Sequence, residues 1–173
     1  TLADLYKSNF GITPWGDVSA LRPTQVPNHE VLAAGFPCQP FSKAGEQLGF
    51  EHTLQGQLFF KVVDILREKK PKYFILENVP NILRHNGGRT LETIKNEIEA
   101  LGYSFAVNKF SPHDFGIPQI RERAYFVGSL IGLDEFKWPV KSGEPTDVTS
   151  VLDRNPADGR EIPENAQRAI RIW

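Results

Sequence analysis

The sequence predicts an α/β fold: a mostly parallel sheet, helices on both of its faces and an antiparallel pair of strands at one edge. Three observations predict it. Apolar runs of strand length alternate with amphipathic helical stretches, in the order strand, helix, strand, helix, strand, strand. Alternation of this kind implies parallel pairing with helices packed on the sheet. The last two strand runs have no helix between them, so they read as the antiparallel edge pair.

Residues 2 to 10 place Leu2, Leu5, Tyr6 and Phe10 at helical spacing, and Gly11 stops that helix. Trp15-Gly16-Asp17-Val18 reads as a short strand ending near Asp17, and Pro23 and Pro27 mark a loop. Glu30 to Phe36, built on the apolar run Val31-Leu32-Ala33-Ala34, is the first clear buried strand. Residues 37 to 55 follow as a long loop punctuated by Gly45 and Gly49, and loops of that length are usually functional. From Gly56 to Lys70, Leu58, Phe59, Val62, Ile65 and Leu66 form an apolar stripe. The basic residues Arg67, Lys69 and Lys70 suit the negative end of that helix, and Pro71 ends it. Lys72 to Val79 is the second buried strand. Thr90 to Leu101 is the next helix, with Leu91, Ile94, Ile98 and Leu101 on one stripe and Gly102 as its stop. Tyr103 to Phe110 and Arg123 to Ser129 are the last two strands, with Pro118 in the loop between them. Past residue 131 the pattern gives way to Pro- and Gly-containing turns, and Asn165 to Trp173 reads as a short closing helix.

Composition bounds the function classes. The length suits one domain with a real core. No apolar run reaches bilayer length, and Thr1-Leu2-Ala3-Asp4 does not open a secretory signal. A single cysteine excludes an internal disulfide framework and fits a reducing, cytoplasmic setting. That cysteine and the scattered His29, His52, His85 and His113 have no metal-ligand spacing, so no metal is expected. A net charge of −1 argues against a wholly basic nucleic-acid-binding surface but leaves room for a basic cleft.

Three clusters fall at one rim of this sheet. In an open α/β sheet, ligands bind beyond the carboxyl ends of the strands. Cys38 follows the first clear strand, and Glu77-Asn78-Val79 ends the second. Gln119, Arg121 and Arg123 enter the last strand, whose beginning reaches the same rim if it runs antiparallel, with all three on one face by the two-residue period. A buried cysteine, a solvated glutamate and a solvated Arg-x-Arg each have ordinary structural readings; their convergence favours a site. A thiolate nucleophile gains from a nearby cation. A neighbouring carboxylic acid can protonate a ring nitrogen of the electrophile. An arginine can hold a carbonyl oxygen as negative charge develops. Acyl transfer of the protease type is disfavoured, because no histidine is placed to serve as the base.

Gly35-Phe36-Pro37-Cys38-Gln39-Pro40-Phe41-Ser42, Glu77-Asn78-Val79 and Gln119-Ile120-Arg121-Glu122-Arg123, with Gly56-Gln57-Leu58-Phe59-Phe60 between the first two, resemble the signature blocks of the C5-cytosine DNA methyltransferases, in the family's order and approximate spacing. The resemblance spans about residues 1 to 130. It implies a Rossmann-like S-adenosylmethionine-dependent methyltransferase sheet, here incomplete, S-adenosyl-L-methionine as cofactor, and duplex DNA with a flipped target cytosine as substrate. Carried onto this chain, it implies that Cys38 attacks C6 of the cytosine and that Glu77 serves N3 and the exocyclic amine. Arg123 would contact O2, Arg121 would support the nucleophile loop, and Asn78 would place the Pro37-Cys38 backbone. Phe36 and Gln39 would lie near the base or the gap it leaves, and Ser42 near a phosphate. Asp17, Pro37 and Leu58 match family contacts to the cofactor, with Asp17 near the adenine amine. The loop 37 to 55 resembles the family's mobile loop.

The resemblance also sets the expected organisation. Residues 1–130 would be a partial catalytic core lacking the Gly-rich cofactor loop, and residues 131–173 a linker toward an absent target-recognition domain. A second polypeptide or chain segment would then supply the missing parts, and the fragment alone would be inactive. A bacterial, cytoplasmic, nucleoid-associated enzyme of a restriction–modification pair is expected. Two alternatives stand beside this: the family's tRNA-methylating branch, which shares the Cys and Glu-Asn-Val chemistry, and a catalytically silent relative acting as a scaffold or regulatory partner.

Overall fold

The computed structural model describes residues 1–37, 54–143 and 146–153, and beyond these only 157, 159, 163, 164 and 167; of residues 54–57 it describes the backbone alone. The elements fall largely where the periodicity predicts. Helix α1 runs Leu2–Phe10, opened by the Thr1 side chain and closed by Gly11 at φ 68°. Strand β1 is Val31–Gly35, helix α2 Leu54–Lys69, strand β2 Tyr73–Asn78, helix α3 Arg89–Glu99, strand β3 Ser104–Phe110 and strand β4 Arg123–Ser129. Two short 3-10 turns, Pro80–Leu83 and His85–Gly88, bridge β2 to α3.

One segment differs from expectation. Trp15–Val18 is not a strand. Asp17 instead caps a 3-10 turn over Val18–Ala20, its carboxylate accepting from the Ser19 N–H at 2.8 Å. Gly16 at φ 94° bends the chain just before it. A short polar side chain that bonds its own backbone two residues on favours a turn over a ladder. The expected loop 37 to 55 and the expected closing helix from Asn165 to Trp173 lie almost wholly outside the described residues.

The sheet has the order β1-β2-β4-β3. β1 and β2 are parallel; β4 is antiparallel to both β2 and β3. β1, β2 and β3 therefore point one way and β4 alone the other, inserted between β2 and β3. Phe74, Leu76 and Asn78 face one side of β2 and are buried. That side packs against both α2 and α3: Phe59, Val62, Val63 and Leu66 from the first and Ile94 and Ile98 from the second join Phe74, Leu76, Ala124 and Phe126 in one core. Both of these helices thus cover a single face, where one on each face was expected. The opposite face shows Val31, Tyr73 and Ile75 to solvent. There a groove of about 400 Å³ is lined by Ile75, Tyr125, Val127, Phe110, Phe136 and Trp138, among others. Phe136, Trp138 and Pro139 form part of its wall: the Trp138 ring lies tilted 5.6 Å from Phe110, and nearby the Ser142 N–H donates to the Asp114 carbonyl at 2.9 Å. No described helix is long and apolar enough to cross a membrane.

Candidate active site

Parallel pairing of β1 with β2 puts their carboxyl ends on one rim, and antiparallel β4 begins there. Gly35 sits opposite Glu77, Glu77 opposite Tyr125, and Asn78 opposite Ala124. Arg123 is therefore diagonal to Glu77 across the β2–β4 ladder, a separation that long side chains span. They meet: Arg123 Nε lies 2.7 Å from Glu77 Oε1, with the guanidinium mostly shielded and the carboxylate more open. A second nitrogen of the same guanidinium donates to the Glu122 carbonyl at 2.7 Å. The carboxylate also borders β1, since a Cβ on Gly35 would come within 3.4 Å of Glu77 Oε2.

Asn78 ties the two strand ends together. It is buried, its Nδ2 donates to the Phe36 carbonyl at 3.1 Å, and its Oδ1 accepts from the Val79 N–H at 2.8 Å. The residue that leads into Pro37 is thereby fixed to β2. The Phe36 ring points into the core, 5.4 Å from the Phe59 ring of α2. What Phe36 offers the rim is its backbone. Pro37 and Leu58 are half-buried. Cys38, Gln39 and Ser42 lie outside the described residues.

The other two expected residues fall into different settings. Arg121 is exposed, and its backbone N–H donates to Ser111 Oγ at 2.9 Å. Because β4 begins only at Arg123, the strand period that would align 119 and 121 with it does not reach them. Asp17 borders a separate groove of about 400 Å³, lined by Trp15, Gly16, Val18, Leu21 and Gln25 among others. The Ser19 backbone N–H, donated to Asp17, holds that carboxyl below the usual carboxylate range. The turn carrying it packs on α2, the helix that carries Leu58. A charged acceptor flanked by an exposed indole and an aliphatic side chain suits a flat heterocycle bearing an amine.

The chemistry available at the rim follows. Glu77 can hold or deliver a proton. Arg123 can accompany negative charge on a carbonyl oxygen. Two contributors escaped the sequence reading. Gly35 borders the carboxylate, which only the β1–β2 register reveals. Ser111 holds the Arg121 backbone, and its one sequence signal is the Ser-Pro-x-Asp spacing of Ser111 to Asp114, a pattern that opens helical turns.

The sequence profile of the C-5 cytosine-specific DNA methylases matches residues 1–168. Among individual relatives, the Type II methyltransferase M1.ScrFI of Lactococcus lactis subsp. cremoris is 45% identical over 152 residues, covering 86% of this chain and 39% of the relative. The Type II methyltransferase M.HaeII of Haemophilus aegyptius is 44% identical over 149 residues, 86% of this chain and 46% of the relative. M.HhaI of Haemophilus parahaemolyticus, also a Type II methyltransferase, is 44% identical over 79% of this chain and 42% of its own length. The chain thus spans less than half of each of these relatives. Of solved structures, the Entamoeba histolytica methyltransferase EhMeth superposes with a TM-score of 0.77 at 22% identity, over 94% of this chain and 52% of that one. Spodoptera frugiperda DNMT2, as an E260A/E261A/K263A mutant, superposes with a TM-score of 0.75 at 20% identity, over 98% of this chain and 54% of that one. At these identities the two structures speak to the fold.

Proposed function

Because the chain belongs to the family of C-5 cytosine-specific DNA methylases, we propose that it is the catalytic-core part of an enzyme that methylates C5 of a flipped cytosine in duplex DNA through a covalent adduct between Cys38 and C6. The observation that carries the reading is the rim itself. Glu77 is paired with Arg123 at 2.7 Å, directly beside the end of β1, while Asn78 grips the Phe36 carbonyl one residue before Pro37-Cys38. A nucleophile that follows Pro37 would emerge next to an acid and a guanidinium already held in register.

The Cys38 thiolate adds to C6, the C5–C6 π electrons move onto C5, and Glu77 supplies a proton at N3 so that no full negative charge builds on the ring. Arg123 meets the charge left at O2. S-adenosyl-L-methionine, when bound, supplies the electrophilic methyl group that C5 takes up. The C5 proton then leaves to solvent base, the C6–S bond breaks as the N3 proton returns to Glu77, and Cys38 is released as the thiolate. Asp17, in the groove it shares with Trp15 and Val18, would accept from the adenine amine of the cofactor, and Pro37 and Leu58 would add contacts to it. Asn78 and Arg121 act on the backbone and the loop. Gln39 and Ser42 belong to the DNA contacts. Residues 131–173 would lead from this core toward a target-recognition domain, and the cell compartment would be the bacterial cytoplasm, where the DNA is.

The test is a trapping experiment. The complete native polypeptide is incubated with S-adenosylmethionine and mixed-sequence duplex DNA containing 5-fluorocytosine, and its intact mass is measured. Fluorine at C5 blocks the final elimination. The expected result is an adduct that disappears in Cys38→Ser. No adduct from the unaltered polypeptide would overturn the proposal.

A further inference from the structure

We infer that Ser111 is a positioning residue for the arginine segment: its buried hydroxyl fixes the backbone of residues 119–121 and so sets the register in which Arg123 meets Glu77. The inference rests on the function proposed above and deepens it.

The β3–β4 ladder ends at the pair Phe110 and Arg123. Beyond it the chain must still hold Gln119 to Glu122, which carry one arginine and lead into the other. Backbone pairing no longer does so from Ser111, because the Ser111 N–H donates instead to Asp114 Oδ2 at 2.9 Å. The side chain takes over. Ser111 Oγ donates to the Gln119 carbonyl at 3.3 Å and accepts from the Arg121 N–H at 2.9 Å. One hydroxyl thus satisfies an acceptor and a donor two residues apart on the same segment, which is what a further ladder rung would have done. The His113 N–H adds a second bond to the Gln119 carbonyl at 3.1 Å. Ser111 is 5% exposed, so water does not compete for these bonds.

The turn bearing Ser111 is itself braced. Asp114 accepts from Lys141 Nζ at 3.1 Å, and the Asp114 carbonyl accepts from the Ser142 N–H. Ser111 hydrogen-bonds neither Glu77 nor Arg123; its bonds go to Asp114, Gln119 and Arg121. It acts through two residues of backbone, and misplacing a catalytic group by a fraction of an ångström to an ångström is enough to cost on the order of 10–100-fold in rate.

The test uses the complete native polypeptide, unaltered and as Ser111→Ala, Ser111→Thr and Ser111→Cys, in single-turnover methyl transfer with DNA affinity and thermal midpoint measured alongside. Ser111→Ala is expected to slow methyl transfer on the order of 10–100-fold while DNA affinity stays within a few-fold, and Ser111→Thr, which keeps the hydroxyl, to recover most of the rate. If Ser111→Ala does not fold, Ser111→Cys, close in shape but a poor hydrogen-bonding partner, decides in its place. A double-mutant cycle with Arg123→Ala supplies the second readout: because Ser111 acts through the placement of Arg123, the double variant should be little slower than Arg123→Ala alone. A lowered thermal midpoint with an unchanged rate would overturn the inference, as would rate losses that multiply across the cycle. An unaltered polypeptide that forms no 5-fluorocytosine adduct would instead remove the proposed function, and this inference with it.

Discussion

Asn78 uses both ends of its amide on backbone, one on Phe36 and one on Val79, and does so with no access to water. Asn78→Asp keeps the shape and removes the donor, so a carboxylate oxygen would face the Phe36 carbonyl. An unmade buried hydrogen bond costs about 1–3 kcal/mol, and chemical denaturation should show a loss of that size. Because the bond holds the residue ahead of Pro37, methyl transfer should fall further than the stability loss accounts for; a rate that tracks the folded fraction alone would count against that role. Glu77→Gln makes the complementary case. Its carboxylate is more than a third exposed, so the pair with Arg123 contributes little to stability, within about 1 kcal/mol. If Glu77 delivers the proton to N3, the amide variant should lose on the order of 10²–10⁴ in methyl-transfer rate with a nearly unchanged thermal midpoint.

At the scale of elements, the strands were legible because their apolar residues are continuous or alternate, and the helices because their stripes are long and end at Pro71 and Gly102. An antiparallel β4 accounts for Glu77 and Arg123 sharing one rim; that they pair is set by the β2–β4 register, which the sequence does not state. What the sequence could not show is how the loops are held. Asp17 turned an expected strand into a capped turn through a local bond, and Ser111 acts through a contact eight to ten residues away that no periodicity encodes. Packing within the sheet also goes beyond pattern. Gly128 lies opposite Phe74, and a methyl group there would fall inside the volume of that buried ring. Gly128→Ala should cost about 1–3 kcal/mol through overpacking, and pairing it with Phe74→Leu should recover part of the loss. Behind the same ring, Tyr103 donates its hydroxyl to the Pro71 carbonyl at 2.7 Å, and burial pushes the phenol up to about 12. A phenol whose proton is held more tightly in the fold than in the unfolded chain stabilises fully below its ordinary range near pH 10, and that contribution is lost as pH rises through about 12. Tyr103→Phe should therefore be less stable at neutral pH, by about 1 kcal/mol, yet decline less steeply between those limits in an alkaline titration followed by circular dichroism.

Among the described residues, the molecule is asymmetric about its sheet. One face carries α2, α3 and the core, while the other presents Tyr73 and Ile75 and the groove ringed by Phe110, Tyr125, Phe136 and Trp138. The continuous apolar run Tyr73-Phe74-Ile75-Leu76 reads as a strand buried on both faces, yet only Phe74 and Leu76 are inside while Tyr73 and Ile75 are exposed, because α2 and α3 both pack on one side, a choice no strand periodicity encodes. The groove is an apolar concavity open to solvent. It should be visible to a polarity-sensitive dye. The 173-residue chain, folded by the criterion of a cooperative thermal transition, is expected to raise the fluorescence of an anilinonaphthalene sulfonate, and Ile75→Lys to lower that response. Ile75 is 46% exposed on the strand's solvent side. The lysine ammonium can therefore reach water while its stem lies on the sheet, and the transition itself should shift little. A dye response untouched by Ile75→Lys would place the bound dye elsewhere, and a folded chain that binds none would mean that this face is covered in solution.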